Sequence, residues 1–122
     1  MAKAVSERDL RTWLEPWPGV TTDVKWGADL CFLIAGKMFC VYCLDGEGKG
    51  SLSFKAGEER FLEFTDRPGF QPAPYLARAH WVKIDRPGDA PREELKALLR
   101  TSYELIAAKL PKKTQRELGF GQ

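Results

Sequence analysis

The fifteen residues Leu30–Leu44, LCFLIAGKMFCVYCL, decide how this chain folds. They form two apolar runs broken by Gly36-Lys37, which predicts one tight β-hairpin. With Gly36-Lys37 as the turn, Gly at the first central position suits a type II′ geometry that matches the twist of the flanking strands. Ala35 is then expected opposite Met38, Ile34 opposite Phe39, Leu33 opposite Cys40 and Phe32 opposite Val41. Successive strand side chains point to opposite faces. One face therefore takes Leu30, Phe32, Ile34, Phe39, Val41 and Cys43, and the other takes Cys31, Leu33, Ala35, Met38, Cys40 and Tyr42. Both are apolar, so the fold turns on what covers the second.

Elements on either side answer with helices. Upstream, Ser6-Glu7-Arg8-Asp9 resembles a capping box with Asp at N3, and Val5 and Leu10 occupy hydrophobic-staple positions. Leu10, Trp13, Leu14 and Trp17 follow at i, i+3, i+4 and i+7, a stripe that packs a helix on a sheet or offers two tryptophans for stacking. Pro16 and Pro18-Gly19 end it. Val20–Trp26 reads as a first strand, with Trp26 inward by parity unless a bulge near Gly27 turns it out. Asp45–Gly50 holds three glycines, but a strand follows instead of the helix a phosphate-binding loop needs. It is read as a hairpin connection.

Ser51–Lys55 alternates as a strand. Gly57 and Glu58-Glu59 open a short helix filled by Phe61, Leu62 and Phe64, and Arg67-Pro68-Gly69 stops it. Gln71–Pro74 is expected to be extended, because each Pro restrains its predecessor, and Tyr75–Ala79 to make one helical turn. His80–Asp85 is the last strand. Asp89 or Ala90 is expected to cap a long helix with Pro91 in its first turn, burying Leu95, Leu98, Leu99, Ser102, Ile106 and Leu110. Pro111 closes it, and residues 112–122 read as a polar tail.

The resulting order is α-β-β-β-β-α-β-α. It predicts a single domain, 1–122, with an ordered core over about 5–111: an α+β two-layer sandwich, an antiparallel sheet of about five strands with helices on one face. Five strands make a sheet roughly 24 Å across, and the helices suffice for one face only, which an antiparallel sheet tolerates. The expected open face carries Lys25, Leu33, Met38, Cys40, Tyr42, Ser53, Lys55, Trp81 and Lys83: an apolar centre, aromatic groups and a rim of lysines.

Composition narrows the function. Nineteen basic and seventeen acidic residues give +2, short of the strong surplus of a dedicated nucleic-acid binder. The amino terminus lacks the apolar run of a signal peptide, and no stretch reaches the roughly 20 apolar residues of a membrane helix, so a cytoplasmic protein is expected. Three cysteines are read as reduced thiols; Cys40 and Cys43, three apart in a strand, face opposite ways. The lone His80 and the absence of any carboxylate pair, nucleophile triad or metal-ligand spacing predict no catalytic residues, no metal and no cofactor.

Three readings of the open face remain: the long loops fold back and cover it, or it is one of two working surfaces. In one, lysines hold phosphates while aromatic side chains stack on bases. In the other, the apolar centre is a protein–protein or homodimer interface through Met38, Cys40 and Tyr42.

Several stretches together carry a resemblance. Pro18-Gly19-Val20, Val24-Lys25-Trp26-Gly27, Lys37-Met38-Phe39, Ser53-Phe54-Lys55, Arg67-Pro68-Gly69, Pro72-Ala73-Pro74-Tyr75-Leu76-Ala77-Arg78 and Trp81-Val82 resemble the MmcQ/YjbR family. So do Ser102-Tyr103-Glu104-Leu105 and Lys109-Leu110-Pro111. The resemblance spans about residues 6–113. It implies a CyaY-like, frataxin-like fold and a DNA-binding role, and it brings no catalytic residues. Iron binding is not implied, because Arg8 and Arg11 interrupt the acids Glu7, Asp9 and Glu15 of the first helix. The matched motifs point to Lys25, Trp26, Lys37, Lys55, Arg78, Trp81 and Lys83 as a basic-aromatic surface for DNA, which Tyr42 joins from the expected open face. The competing expectation is that Lys25 and Arg78 are spent on Asp23 or Asp29 inside the protein.

Overall fold

The computed structural model describes residues 5–73 and 79–120. Helix α1 spans Glu7–Leu14 and begins with the expected capping box: the Asp9 amide donates to Ser6 Oγ at 3.2 Å and the Ser6 amide to Asp9 Oδ2 at 3.0 Å. Strands β1 (Val20–Lys25), β2 (Asp29–Ile34), β3 (Lys37–Cys43) and β4 (Leu52–Lys55) follow as a meander. Then come α2 (Phe61–Thr65), β5 (Phe70–Pro72), β6 (Trp81–Ile84), α3 (Arg92–Ala107) and α4 (Lys112–Glu117). The sheet is antiparallel with the order β1-β2-β3-β4-β6-β5, and the helices pack on one side. The α+β two-layer sandwich is therefore present, with six strands instead of about five. The extra strand is β5, whose extended Gln71-Pro72 pairs with Lys83 and Val82 at the sheet edge, a place where proline costs no ladder bond. The expected helical turn at Tyr75–Ala79 lies, up to Arg78, outside the described residues.

The central hairpin differs from expectation in a way that redraws both faces. Its turn is Ala35-Gly36, both at positive φ (49° and 80°), and Ile34 pairs with Lys37. Two central residues in the left-handed region mark a type I′ turn, which fits strand twist as well as II′ does. A β-bulge then follows: Leu33 pairs with Met38, but Phe32 pairs with Cys40, leaving Phe39 as the extra residue. A bulge places two residues against one and resets the alternation beyond it. Phe39 and Cys40 consequently both face the helices, and both are fully buried. Tyr42, paired with Leu30 and Leu52, faces the same way, and its hydroxyl donates to the Val5 carbonyl at 3.3 Å. The expectation that Cys40 and Tyr42 lie on the open face is thus corrected, and Val41, paired with Cys31 and Ser53, takes their place there.

The core lies between the sheet and α1, α2 and α3. Leu10 and Leu14, Phe64, and Leu95, Leu98, Leu99, Tyr103 and Ala107 meet Leu30, Phe32, Ile34, Phe39, Leu52, Phe54, Val82 and Ile84. Tyr103, absent from the expected stripe, is fully buried. Its ring sits edge-on to Phe39 with centroids 5.4 Å apart, and its hydroxyl donates to the Pro18 carbonyl at 2.5 Å. Ser102 is also buried and donates to the Lys55 carbonyl at 2.6 Å, tying α3 to β4. Pro91 stands at the N-cap of α3 without a side-chain cap, where Asp89 or Ala90 was expected.

The polar tail is a further correction. Lys112–Glu117 forms α4, and the apolar residues behind it return to the core: Phe120 packs on Tyr103 at 5.6 Å, and the Leu118 side chain lies against Gly19. Two apolar anchors at Leu118 and Phe120 hold a segment whose composition is otherwise polar.

Candidate nucleic-acid interface

Cross-strand pairing orders the sheet face opposite the helices into rows. The middle row runs Asp23, Cys31, Val41, Ser53, Lys83 and Gln71, one residue from each strand. On one side of it lie Thr21, Leu33, Met38, Lys55 and Trp81; on the other lie Lys25, Asp29 and Cys43. Lys25, Lys55 and Lys83 therefore share one face. Lys25 and Lys83 stand four strands apart, roughly 19 Å at the usual strand spacing.

The lysines are not free. Lys25 Nζ lies 3.7 Å from Asp23 Oδ2, and Lys83 Nζ lies 3.8 Å from Asp85 Oδ1. Lys55 Nζ donates to the Ala79 carbonyl at 2.8 Å. Burial, helped by the nearby charge of Lys109, holds the Lys55 ammonium below its ordinary pKa. Asp23, Asp29 and Asp85 match the three lysines in number, so this face carries no surplus charge.

The aromatic members divide. Trp26 is 72% exposed and sits in the β1–β2 loop at φ 53°, a left-handed conformation that is strained for a bulky residue. The structure thus displays this indole at the end of the face beside Lys25. Trp81 is on the face, paired with Lys55, but only 4% exposed. Its ring is not available for stacking, and the expectation that it stacks on bases is corrected. Tyr42 is on the other side of the sheet; burial pushes its phenol pKa up. Lys37 is exposed at the β2–β3 turn, at the opposite end of the sheet from Trp26. Arg78 lies outside the described residues. Lys25 is spent on Asp23, as the competing expectation had it, but through an exposed pair.

The homodimer set divides as well: Met38 remains on the face, half-buried, whereas Cys40 is fully buried and Tyr42 faces the helices. The tryptophans of the first helix region are no stacking platform either. Arg92 and Lys96 of α3 lie over the Trp13 ring at 5.4 and 5.2 Å, and Arg100 lies over Trp17 at 5.1 Å. Their ring faces are occupied by this chain's own cations.

A cleft of about 240 Å³ between Arg67, Phe70, Ile84, Arg86 and Ala90 is smaller than most ligand pockets. Among the described residues, no three His, Cys, Asp or Glu side chains are grouped to hold a metal ion. His80 packs edge-on to Phe61 at 5.5 Å. No helix of the described residues is long and apolar enough to cross a membrane.

The YjbR family model matches residues 16–105, from the segment before β1 to the last turns of α3. The chain belongs to the YjbR family. Its fold is similar to the crystal structure of a Deinococcus radiodurans protein described by the domain DUF419, with TM-score 0.84 and 25% identity. The match covers 99% of this chain and 94% of that one. No curated protein gives a significant match. The match to the solved structure includes nearly the whole chain, so it extends to α4, which the family model leaves out.

Proposed function

We propose that this YjbR-family chain is a non-catalytic, cytoplasmic DNA-binding protein that presents its second sheet face to a duplex. The observation that carries the reading is the shared face of Lys25, Lys55 and Lys83, bordered by the displayed Trp26. Ion pairs open to water on at least one side, as Lys25–Asp23 is and as Lys83–Asp85 is through Asp85, are worth about 0–1 kcal/mol, so a phosphate can replace the aspartate at small cost. With charges balanced, the face supplies contact and position more than long-range attraction.

Fluorescence anisotropy with a labelled duplex, and with the matching single strand, tests this. Each phosphate contact adds about 0.9 to the logarithmic salt slope, so three contacts weaken binding about 40-fold between 50 and 200 mM salt. Lys25→Ala with Lys83→Ala should lower affinity and flatten that slope. Absence of wild-type binding to either DNA at 50 mM salt sinks the reading.

A second reading, self-association, is favoured by Val24 on the outer strand β1 and by Trp26 just beyond its end, which are 50% and 72% exposed. Unpaired outer strands invite pairing with another chain. Sedimentation decides it: a wild type that stays monomeric at the highest usable concentration rejects self-association, and a dimer that Trp26→Glu dissociates supports it.

A further inference from the structure

The charge balance of the sheet face raises the question of what draws a polyanion to this protein. Lys109, Lys112, Lys113 and Arg116 stand within nine residues that contain one carboxylate, Glu117. That is a surplus of three in a chain whose total is +2, so the remainder is slightly acidic. All four are exposed, and none has a carboxylate within 4 Å among the described residues. The α3 cations differ: Arg92 lies 3.4 Å from Asp9, Lys96 3.6 Å from Glu93 and Arg100 3.2 Å from Glu104. Among the described residues, the other cations without a carboxylate partner, Arg8, Lys37, Lys49, Lys55 and Arg86, stand singly on separate elements. Among the described residues, positive charge without a carboxylate partner is therefore clustered only at this place.

That place is held firmly. Gln115 Nε2 donates to the carbonyls of Ala108 and Leu110 at 3.2 and 2.7 Å, fixing α4 against the end of α3. Leu118 and Phe120 pin the following turn to Gly19 and Tyr103. Lys112 and Arg116 are one helical turn apart, about 5–6 Å. We propose that Lys109, Lys112, Lys113 and Arg116 form a phosphate-binding surface that captures duplex DNA, an assignment resting on the DNA reading above. The surface continues toward the sheet, since Lys109 is close enough to Lys55 for their charges to interact. A lipid surface fits it less well: a membrane-bound amphipathic helix needs an apolar outer face, and here the apolar Leu118 and Phe120 turn inward.

The test is Lys112→Glu with Lys113→Glu and Arg116→Glu, compared with wild type and with Lys25→Ala/Lys83→Ala in the same duplex titration. The triple variant should lose at least about tenfold in affinity at 50 mM salt and lower the salt slope by about 2–3. Lys112→Arg/Lys113→Arg should bind like wild type. A triple variant that binds as tightly as wild type, while Lys25→Ala/Lys83→Ala weakens binding, overturns the α4 assignment and leaves the DNA reading standing. Wild type that ignores DNA overturns the reading itself; if it instead binds vesicles containing phosphatidylserine through these residues, the surface is a lipid site and the assignment is equally overturned. Circular dichroism checks the fold of each variant. Should the charge reversals perturb it, Lys112→Ala/Lys113→Ala is read by the same criteria, with about two-thirds of the change in slope.

Discussion

Cys40 and Val41 are neighbours on β3 that point to opposite sides of the sheet, and the bulge at Phe39 decides which of them faces the core. Placing a carboxylate at each position measures that difference directly. Cys40 is fully buried between its cross-strand partners Phe32 and Phe54, both also fully buried. An aspartate there is an unpaired charge in the core, costing about 4 kcal/mol, as when a buried ion pair loses one partner. Unfolding entropy of about 2.1 cal/mol/K per residue over 122 residues gives roughly 0.26 kcal/mol/K. Cys40→Asp should therefore lower Tm by roughly 15 °C. Val41 is half-buried on the second face, beside Ser53 and one strand further from Lys83. Val41→Asp keeps access to water and should cost about 1 kcal/mol, or roughly 4 °C. Differential scanning fluorimetry or calorimetry reads both. An unbulged hairpin demands the opposite order, so Val41→Asp proving the more damaging of the two would refute the register and every face assignment built on it.

Three further outcomes follow from other parts of the molecule. In native protein at pH 8, Cys43 should react with a disulfide reagent first, since burial pushes the Cys31 thiol up to about 11 and Cys40 higher still; three equal fast thiols would contradict this. Because those two thiols hold their protons more tightly when folded, the stability they contribute is intact below the ordinary thiol pKa and falls as pH rises above about 9. Ser6→Ala should cost about 1 kcal/mol in urea melts. The Ser6 amide holds the Asp9 carboxyl below its usual pKa, so stability from that group is full above the unfolded carboxylate range and is lost as pH falls through the folded value; a wild-type contribution unchanged down to pH 2 would refute it. Truncation after Pro111 removes the half-buried Leu118 and Phe120 and should cost about 2 kcal/mol, whereas a dispensable tail would leave Tm unchanged.

The architecture was legible because each helix and strand repeats its own period. Ser6 announced α1, prolines and glycines marked the ends, and counting helices against sheet width left one face uncovered. What was not legible were events carried by single residues. Nothing in a run of alternating apolar residues marks Phe39 as extra, because Phe39 and Cys40 are equally suited to the core. Tyr103 was missing from the expected stripe, because the carbonyl that satisfies its hydroxyl belongs to Pro18, eighty-five positions away. Leu118 and Phe120 are two apolar residues among charges, too few for periodicity to register. Trp81 followed its expected parity and still proved buried, since parity gives the side of the sheet and says nothing about cover. The shared face of the three lysines was readable, and so was the pairing of Lys25 with Asp23 two residues away on the same strand; the hold of the Ala79 carbonyl on Lys55, twenty-four positions away, was not.

The bulge also bears on how this hairpin relates to shorter ones. Removing Phe39 would leave Leu33 opposite Met38 and Phe32 opposite Cys40, so the ladder would close into regular pairing with every other side chain on its present face. In effect the hairpin is an ideal one carrying a single inserted residue, and the insertion is spent entirely on an aromatic ring that meets Trp17 and Tyr103. An ungapped alignment with an unbulged hairpin would match correctly on one side of position 39 and pair inward with outward residues on the other. Placing a one-residue gap there restores the phase of both strands at once.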